Sequence, residues 1–414
     1  MRPEARGRMA ILVAARAVSS IGDLMYLVAI NIFLLSLTHA PIAVAGLWLV
    51  GRVGALIVSP WAGSLTDRMR RRDILMAVDL LRAAGLLLMP FLHNLWLVYL
   101  DIAWLGVLGV FFGTAFLPYQ TQIVPLDRQK RLNGLIALAR YSAILIGPSL
   151  AGLLMLSGSV RLPLWSDGAS FVLSAASLLL LPRLEAIPAA RPGHQDRTSL
   201  WHTTGRDWLQ AWHLLSQAPV FRLTLIASVG ILALGVAADS QEVVFAVRAL
   251  HLGHFGFAMM VTAAGVGYVF GALLLNTVIP RIPAKWLLTA GMLGSTLGYL
   301  TYALSPGFTQ AVVGLVMLGT FGGAQSVGFT SFQQRSVAPE LMGRVMNLRN
   351  TPEQLLQLLL ILAAGWATDL LGIRAVMVAA TALAVLLAVS MVSAILKPRH
   401  QAELAALDTV VPKG

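Results

Sequence analysis

Runs of about twenty apolar residues recur along the whole chain, and no other feature limits its fold so severely. A helix needs about 20 apolar residues to cross a hydrocarbon core of roughly 30 Å. Lipid offers no partner for unpaired backbone groups, so each run reads as a membrane-spanning helix. The runs fall at 9–37, 42–66, 72–92, 95–122, 132–157, 161–181, 219–246, 254–279, 284–304, 307–334, 343–369 and 372–396. Twelve spans result, and they predict an all-α membrane protein. The first run is too long for a signal-peptide core and ends without a small-residue cleavage pattern, so it is read as a membrane helix. Composition agrees: 57% of the residues are hydrophobic and 12% charged, against about a quarter charged in water-soluble domains. The chain has no cysteine, which excludes disulfides and thiolate metal sites.

A formal net charge of +12 would suggest nucleic acid in a soluble protein, so the placement of the basic residues decides. They fall in alternate connections. Arg2, Arg6 and Arg8 precede the first run, Arg68, Arg70, Arg71 and Arg72 follow the second, and Arg128, Lys130 and Arg131 follow the fourth. Arg183, Arg191, Arg197 and Arg206, then Arg281 with Lys285, Arg335 with Arg344, and Lys397 with Arg399 continue the alternation. The intervening connections hold Arg161, Arg248 and Arg374. This asymmetry follows the positive-inside rule and predicts cytoplasmic termini in a bacterial inner membrane. It leaves no basic face for nucleic acid.

One long polar stretch, with Pro188, Pro192 and Gly193, separates the sixth run from the seventh. The predicted organisation is therefore a six-helix bundle at 1–181, a cytoplasmic linker at 182–218, a second six-helix bundle at 219–396 and a cytoplasmic tail at 397–414. Trp201, Trp208 and Trp212 suit an interfacial amphipathic helix in the linker. The halves echo each other: Leu108, Gly109, Phe111 and Gly113 recur 210 residues later as Leu318, Gly319, Phe321 and Gly323. Gln120, Pro125 and Asn133 recur 214 residues later as Gln334, Pro339 and Asn347. A near-constant offset suits tandem duplication of six helices.

The loop Gly63-Ser-Leu65-Thr-Asp67-Arg68-Met-Arg70-Arg71-Arg72 resembles the signature between helices 2 and 3 of the major facilitator superfamily, G-x-L-a-D-[RK]-x-G-[RK]-[RK]. Gly63, Leu65, Asp67, Arg68, Arg71 and Arg72 fit it, and Arg70 stands at the second glycine. The continuation from Asp73 through Asp79 and Arg82 resembles the branch holding macrolide and siderophore exporters. In the fifth run, Gly134, Ala143, Gly147-Pro148 and Ala151-Gly152 resemble the antiporter motif G-x8-G-x3-G-P-x2-G-G, with alanine at two glycine positions. The resemblance implies two six-helix bundles that alternate their access, a gating latch from Asp67 to the start of the eleventh helix near Gly343, and export in exchange for protons. A carboxylate at a helix N-terminus gains about 0.3–1 kcal/mol from the helix dipole.

Ionisable residues at membrane depth are costly and so point to function. At 1.5 Å per residue, Asp23 lies about 21 Å beyond the cytoplasmic start of its helix, near the midplane. Arg52 lies at similar depth. The pair reads either as a proton-coupling site, since a carboxylate beside a movable cation can load and release a proton, or as a structural ion pair. Asp79, Arg82 and Arg140, with Arg16, read as a buried network, and Asp101 and Asp167 lie nearer the outer ends of their helices. Tyr26, Asn31, Tyr119, Gln122, Asp239, Gln241, Glu242 and Gln325 are the expected groups of a substrate cavity.

The expected activity is export of small amphiphilic molecules or drugs by a monomer in the bilayer. Export of one metabolite such as a siderophore, and a non-transporting or lipid-handling role, stand as alternatives. Gly265-Val-Gly267-Tyr-Val-Phe-Gly271 lies inside an apolar run without a preceding strand and reads as helix packing rather than a nucleotide site. No enzyme, cofactor or metal is expected; His251 and His254 lack a clear third ligand.

Overall fold

The structure, a computed structural model, describes residues 3–66, 69–183, 219–278, 284–336 and 339–397. Asp67 and Arg68 of the expected gating loop, the linker beyond Arg183 with its three tryptophans, and the tail beyond Lys397 lie outside the described residues.

Among the described residues, twelve long helices carry the fold. They are α1 (Pro3–Thr38), α2 (Pro41–Thr66), α3 (Arg71–Leu88), α4 (Leu95–Ile123), α5 (Leu126–Met155) and α6 (Arg161–Leu179), then α7 (Pro219–Asp239), α8 (His254–Val278), α9 (Ala284–Ala303), α10 (Phe308–Ser336), α11 (Pro339–Leu371) and α12 (Ile373–Ile395). Local sequence explains their ends. Asn94 caps α4, its Oδ1 accepting from Trp96 N at 2.8 Å, which satisfies one of the free N–H groups of the first turn. Gly372 joins α11 to α12 at φ +82°, a conformation that glycine adopts without steric cost.

Eleven of these helices are long and apolar enough to cross a membrane among the described residues. The exception is α9, read from the sequence as a span, where Lys285, Thr289, Ser295, Thr296 and three glycines dilute the apolar content. Those small residues have another use. A Cβ on Gly291 would lie 2.7 Å from Gln325 Cα, one on Gly314 2.9 Å from Tyr302 Cα, and one on Gly328 2.8 Å from Leu288 Cα. Helices α9 and α10 therefore meet backbone to backbone, which is how membrane helices gain dispersion contacts where lipid supplies no hydrophobic drive.

The chain divides into two compact units, one of residues 1–192 with 251–262 and one of residues 193–250 with 263–414. Within the first, α1 packs on α5 and α6, and α3 on α4 and α6. Within the second, α7 packs on α11 and α12, and α9 on α10 and α12. Four helix pairings thus recur six helices apart, the structural counterpart of the sequence echo. In the first unit Leu75, Leu86, Tyr119, Leu132 and Leu164 are among the fully buried side chains. Many leucines and tryptophans, Trp96 and Trp366 among them, point outward as a lipid-facing surface requires.

The seam predicts a contrast. Gly298→Leu drives a side chain into Gly314 and the backbone of α10 and is expected to cost about 1–3 kcal/mol as overpacking does. Gly113→Ala meets nothing within 4 Å among the described residues and should be neutral or stabilising. Thermal unfolding of the purified protein checks both; a Gly298→Leu midpoint equal to wild type contradicts the seam.

Candidate functional site

Each unit encloses a cavity whose wall is largely apolar and carries a few polar groups. In the first unit a cavity of about 290 Å³ is bounded by Asp23, Tyr26, Trp48, Arg82, Asp167 and Phe171, among others. In the second, a cavity of about 470 Å³ is bounded by Asp239, Tyr268, Tyr299, Gln325, Phe329 and Arg349, among others. The larger volume lies in the usual range of small-molecule sites, roughly 300–1,000 Å³.

Asp23 owes its place to the residues beside it on α1. A Cβ on Gly22 would collide with Asp167 Oδ1 and Ser170 Oγ of α6. On the other flank, a Cβ on Gly147 of α5 would lie 2.9 Å from the Ile21 carbonyl oxygen and 2.5 Å from Leu24 Cβ. Two glycines on two helices thus let α5 and α6 close on the segment that bears Asp23. Gly147, which with Pro148 belongs to the expected antiporter motif, permits the α1–α5 approach. Gly152 of the same motif faces Ala258 Cβ, 2.8 Å from where its own Cβ would be.

From the sequence Asp23 is expected to pair with Arg52; the guanidinium groups that act on it in the structure are those of Arg16 and Arg82. Arg82 is pinned by aromatic faces, 5.1 Å from the ring centres of Phe112 and of Phe171. Arg16 lies 5.5 Å from the Phe112 centre. Such cation–π contacts hold a guanidinium in a dry site at little loss of its charge. Asp79 is fully buried and interacts with Arg82 and Arg16, whereas Arg140, expected in the same network, is exposed. Asp167 enters the cluster from α6: it is 1% exposed and accepts from Ser170 Oγ at 3.1 Å. Depth counting missed it, because helix α6 begins at Arg161 and places position 167 near one end of the span.

The remaining expected cavity groups separate. Tyr26 lines the first cavity and Asp239 and Gln325 the second. Asn31 donates to the Leu27 carbonyl one turn back on its own helix at 2.7 Å. Tyr119 is buried, and its hydroxyl donates to the Pro182 carbonyl at 2.9 Å. Arg72, assigned to the gating loop, donates to the Leu181 carbonyl at 2.8 Å, and Arg183 pairs with Asp73 at 2.8 Å. These contacts tie the chain just beyond α6 to α3 and α4, a cationic cap for carbonyls left open at a helix end. Arg71 begins α3; Gly63 and Gly134 fall within α2 and α5. Gln122 Nε2 and Trp48 Nε1 are buried donors without a hydrogen-bond partner among the described residues.

In the second unit the helix carrying Asp239 ends there, and the backbone continues through one turn at Glu242–Val244 into a π-type turn at Phe245–Ala249. Such departures from α geometry cluster at functional sites. Tyr299 Oη donates to Asp239 Oδ1. Ser295 Oγ donates to Gln325 Oε1 at 2.7 Å. Gln241 is buried at the start of that turn, and Glu242 is within electrostatic reach of Asp239. Arg349, missed from the sequence, lies 4.6 Å from the Phe329 ring centre and pairs with Glu353 one turn on, at 3.0 Å.

The comparisons with known proteins agree with this architecture. The sequence profile described as Major Facilitator Superfamily matches residues 12–247 and 242–409. The lysophospholipid transporter LplT of Cronobacter sakazakii (strain ATCC BAA-894) is 25% identical over 92% of this chain and 94% of its own. The multidrug resistance protein MdtG of Rahnella sp. (strain Y9602) is 28% identical over 35% of each chain. Among solved structures, a mutant of the nucleoside transporter NupG superposes with a TM-score of 0.72 at 14% identity, covering 94% of this chain and all of that one.

Arg349 and Glu353 supply a test of the second cavity's wall. Removing one partner leaves a partly buried charge uncompensated, while removing both does not. Arg349→Ala is therefore expected to lower the thermal midpoint of the purified protein more than Arg349→Ala with Glu353→Ala. A double variant less stable than the single one contradicts the pairing.

Proposed function

Because the chain belongs to the major facilitator superfamily, a family of transporters rather than enzymes, we propose that it exports small amphiphilic molecules across a bacterial inner membrane by alternating access, in exchange for protons. The observation that carries this reading is the pair of apolar-walled cavities, each with a carboxylate on its wall, one per unit. An apolar wall with aromatic faces suits a lipophilic body, and a single charged or polar group fixes its orientation. A carboxylate at membrane depth is costly to keep ionised and is kept for a purpose, here loading and releasing a proton. The likeness to MdtG over part of the chain supports a multidrug range.

In this scheme Asp23 is the coupling carboxylate, held between α5 and α6 at Gly147 and Gly22. Asp239 and Gln325, on the wall of the second cavity, contact substrate there; Gln241 and Glu242, also expected among the cavity groups, are not on that wall. Asp67, with Arg68 and Arg71, latches the gate, while Arg72 anchors the chain beyond α6 at the Leu181 carbonyl, and both termini lie in the cytoplasm. A second reading rests on the near full-length likeness to LplT: the cargo is a lysophospholipid, itself an amphiphile with a single acyl chain.

Ethidium efflux from cells expressing the chain tests the proposal. Efflux is expected to collapse under a protonophore and to fall, in Asp23→Asn, to the rate of cells lacking the protein at equal membrane abundance. Asp239→Asn is expected to raise the apparent KM for ethidium while efflux stays protonophore-sensitive. Ethidium efflux that survives both the protonophore and Asp23→Asn contradicts proton exchange at Asp23. No ethidium efflux, with transfer of lysophosphatidylethanolamine between leaflets of proteoliposomes, selects the lysophospholipid reading.

A further inference from the structure

The wall of the second cavity carries polar groups at three levels, linked by contacts between side chains. Asp239, which closes α7, accepts from Tyr299 Oη of α9. One turn back along α9, Ser295 Oγ donates to Gln325 Oε1 of α10 at 2.7 Å. One turn on along α10, the ring centre of Phe329 lies 4.6 Å from the guanidinium of Arg349 on α11. All six of these residues line the cavity. Gly298 meets Gly314 and Gly291 meets Gln325, so α9 and α10 run antiparallel and the two steps add. At 1.5 Å per residue, the level of Asp239 and the level of Arg349 stand about 12 Å apart.

Between those ends the wall is mostly apolar. Ile231, Leu234, Met292 and Leu318 face the cavity, and the hydroxyls of Ser228, Thr296 and Thr381 donate to carbonyls one turn back on their own helices. Both ends retain capacity for a ligand. Arg349 pairs with Glu353 at 3.0 Å, yet Glu353 is not on the cavity wall, and Arg349 Nε is buried without a hydrogen-bond partner among the described residues. A guanidinium has five N–H donors in a fork that matches an oxyanion, so one carboxylate does not exhaust it. At the other end Tyr268 and Tyr299 line the cavity with Asp239, and a carboxylate accompanied by aromatic faces suits an organic ammonium group.

We propose that the second cavity selects elongated dipolar molecules, with an ammonium group at Asp239 and Tyr299, an oxyanion at Arg349 and an apolar chain of about 12 Å between them. This rests on the exporter reading and names the substrate class of its second-unit site. A molecule with a single charge engages one end and lacks the hydrogen bonds that the other end offers to a charged group. A molecule with both charges close together reaches only one end. The cavity therefore reads the separation of the two charges as well as their signs.

The test is titration calorimetry of the full chain in lipid nanodiscs, with empty nanodiscs as the reference. The probe is 10-aminodecanoic acid, whose charges stand about 12 Å apart when the chain is extended at bond lengths near 1.5 Å. It is expected to bind at least about tenfold more tightly than decylamine or decanoate, as one hydrogen bond to a charged group implies. The same margin is expected over its isomer 2-aminodecanoic acid, in which the charges are adjacent. Arg349→Gln should bind the probe no better than decylamine, Asp239→Asn no better than decanoate, and Arg349→Lys should retain the preference over decylamine. No binding of the probe, equal wild-type affinity for it and for decylamine or the isomer, or a preference that persists in Arg349→Gln, overturns the proposal. Thermal unfolding verifies that each variant is folded. Where Arg349→Gln is not, Arg349→Gln with Glu353→Gln decides in its place, since removing both partners leaves neither charge uncompensated. Binding is read without transport: ethidium efflux without this preference retains the exporter reading and removes the dipolar one, and the preference in a protein that exports no ethidium does the reverse.

Discussion

Lipid solvates neither a charge nor an unpaired backbone group, and the rest of this structure follows from that deficiency. Backbone groups are satisfied within helices, which is why the described chain is built from long helices joined by short turns. Charges survive inside only where other charges, aromatic faces or hydroxyls surround them. Asp23 therefore comes with Arg16 and Arg82, Arg82 with Phe112 and Phe171, Asp239 with Tyr299, and Arg349 with Glu353 and Phe329. Each such group is placed by several helices, so a shift of any one helix changes its electrostatic surroundings.

Small residues decide where those helices can come. Gly22 and Gly147 bring α6 and α5 against the stretch of α1 that carries Asp23, and a glycine seam joins α9 to α10 beneath the wall of the second cavity. The link from sequence to function passes through missing side chains: without a Cβ, backbone and carboxylate approach to distances that dispersion and electrostatics reward. At Gly147 the missing side chain has a defined geometric effect, the approach of α5 to α1.

Much of the fold was legible in the sequence because apolar run length is a local property. The limits of α4, expected at 95–122 and found at Leu95–Ile123, illustrate this. Helix α9 was harder, since its composition reflects packing against α10 rather than contact with lipid. The candidate site was legible only in part. Asp23 stood out by depth, but its counter-charges did not: Arg52 matched it in height along the membrane, whereas proximity depends on which helices are neighbours and on how each is rotated. Asp167 was hidden for the same reason, since nothing local to it signals Gly22 on another helix. Tyr119 and Arg72 looked like cavity and gate groups and are engaged with carbonyls just beyond α6.

The central claim is that substrate binding and proton loading of the buried carboxylate Asp23 exclude one another. It is tested most directly by the protons released when the purified, membrane-embedded chain binds ethidium, obtained by titration calorimetry in buffers of differing ionisation enthalpy. The account predicts net proton release on binding, abolished in Asp23→Asn. Binding that releases no proton from the wild-type chain contradicts it.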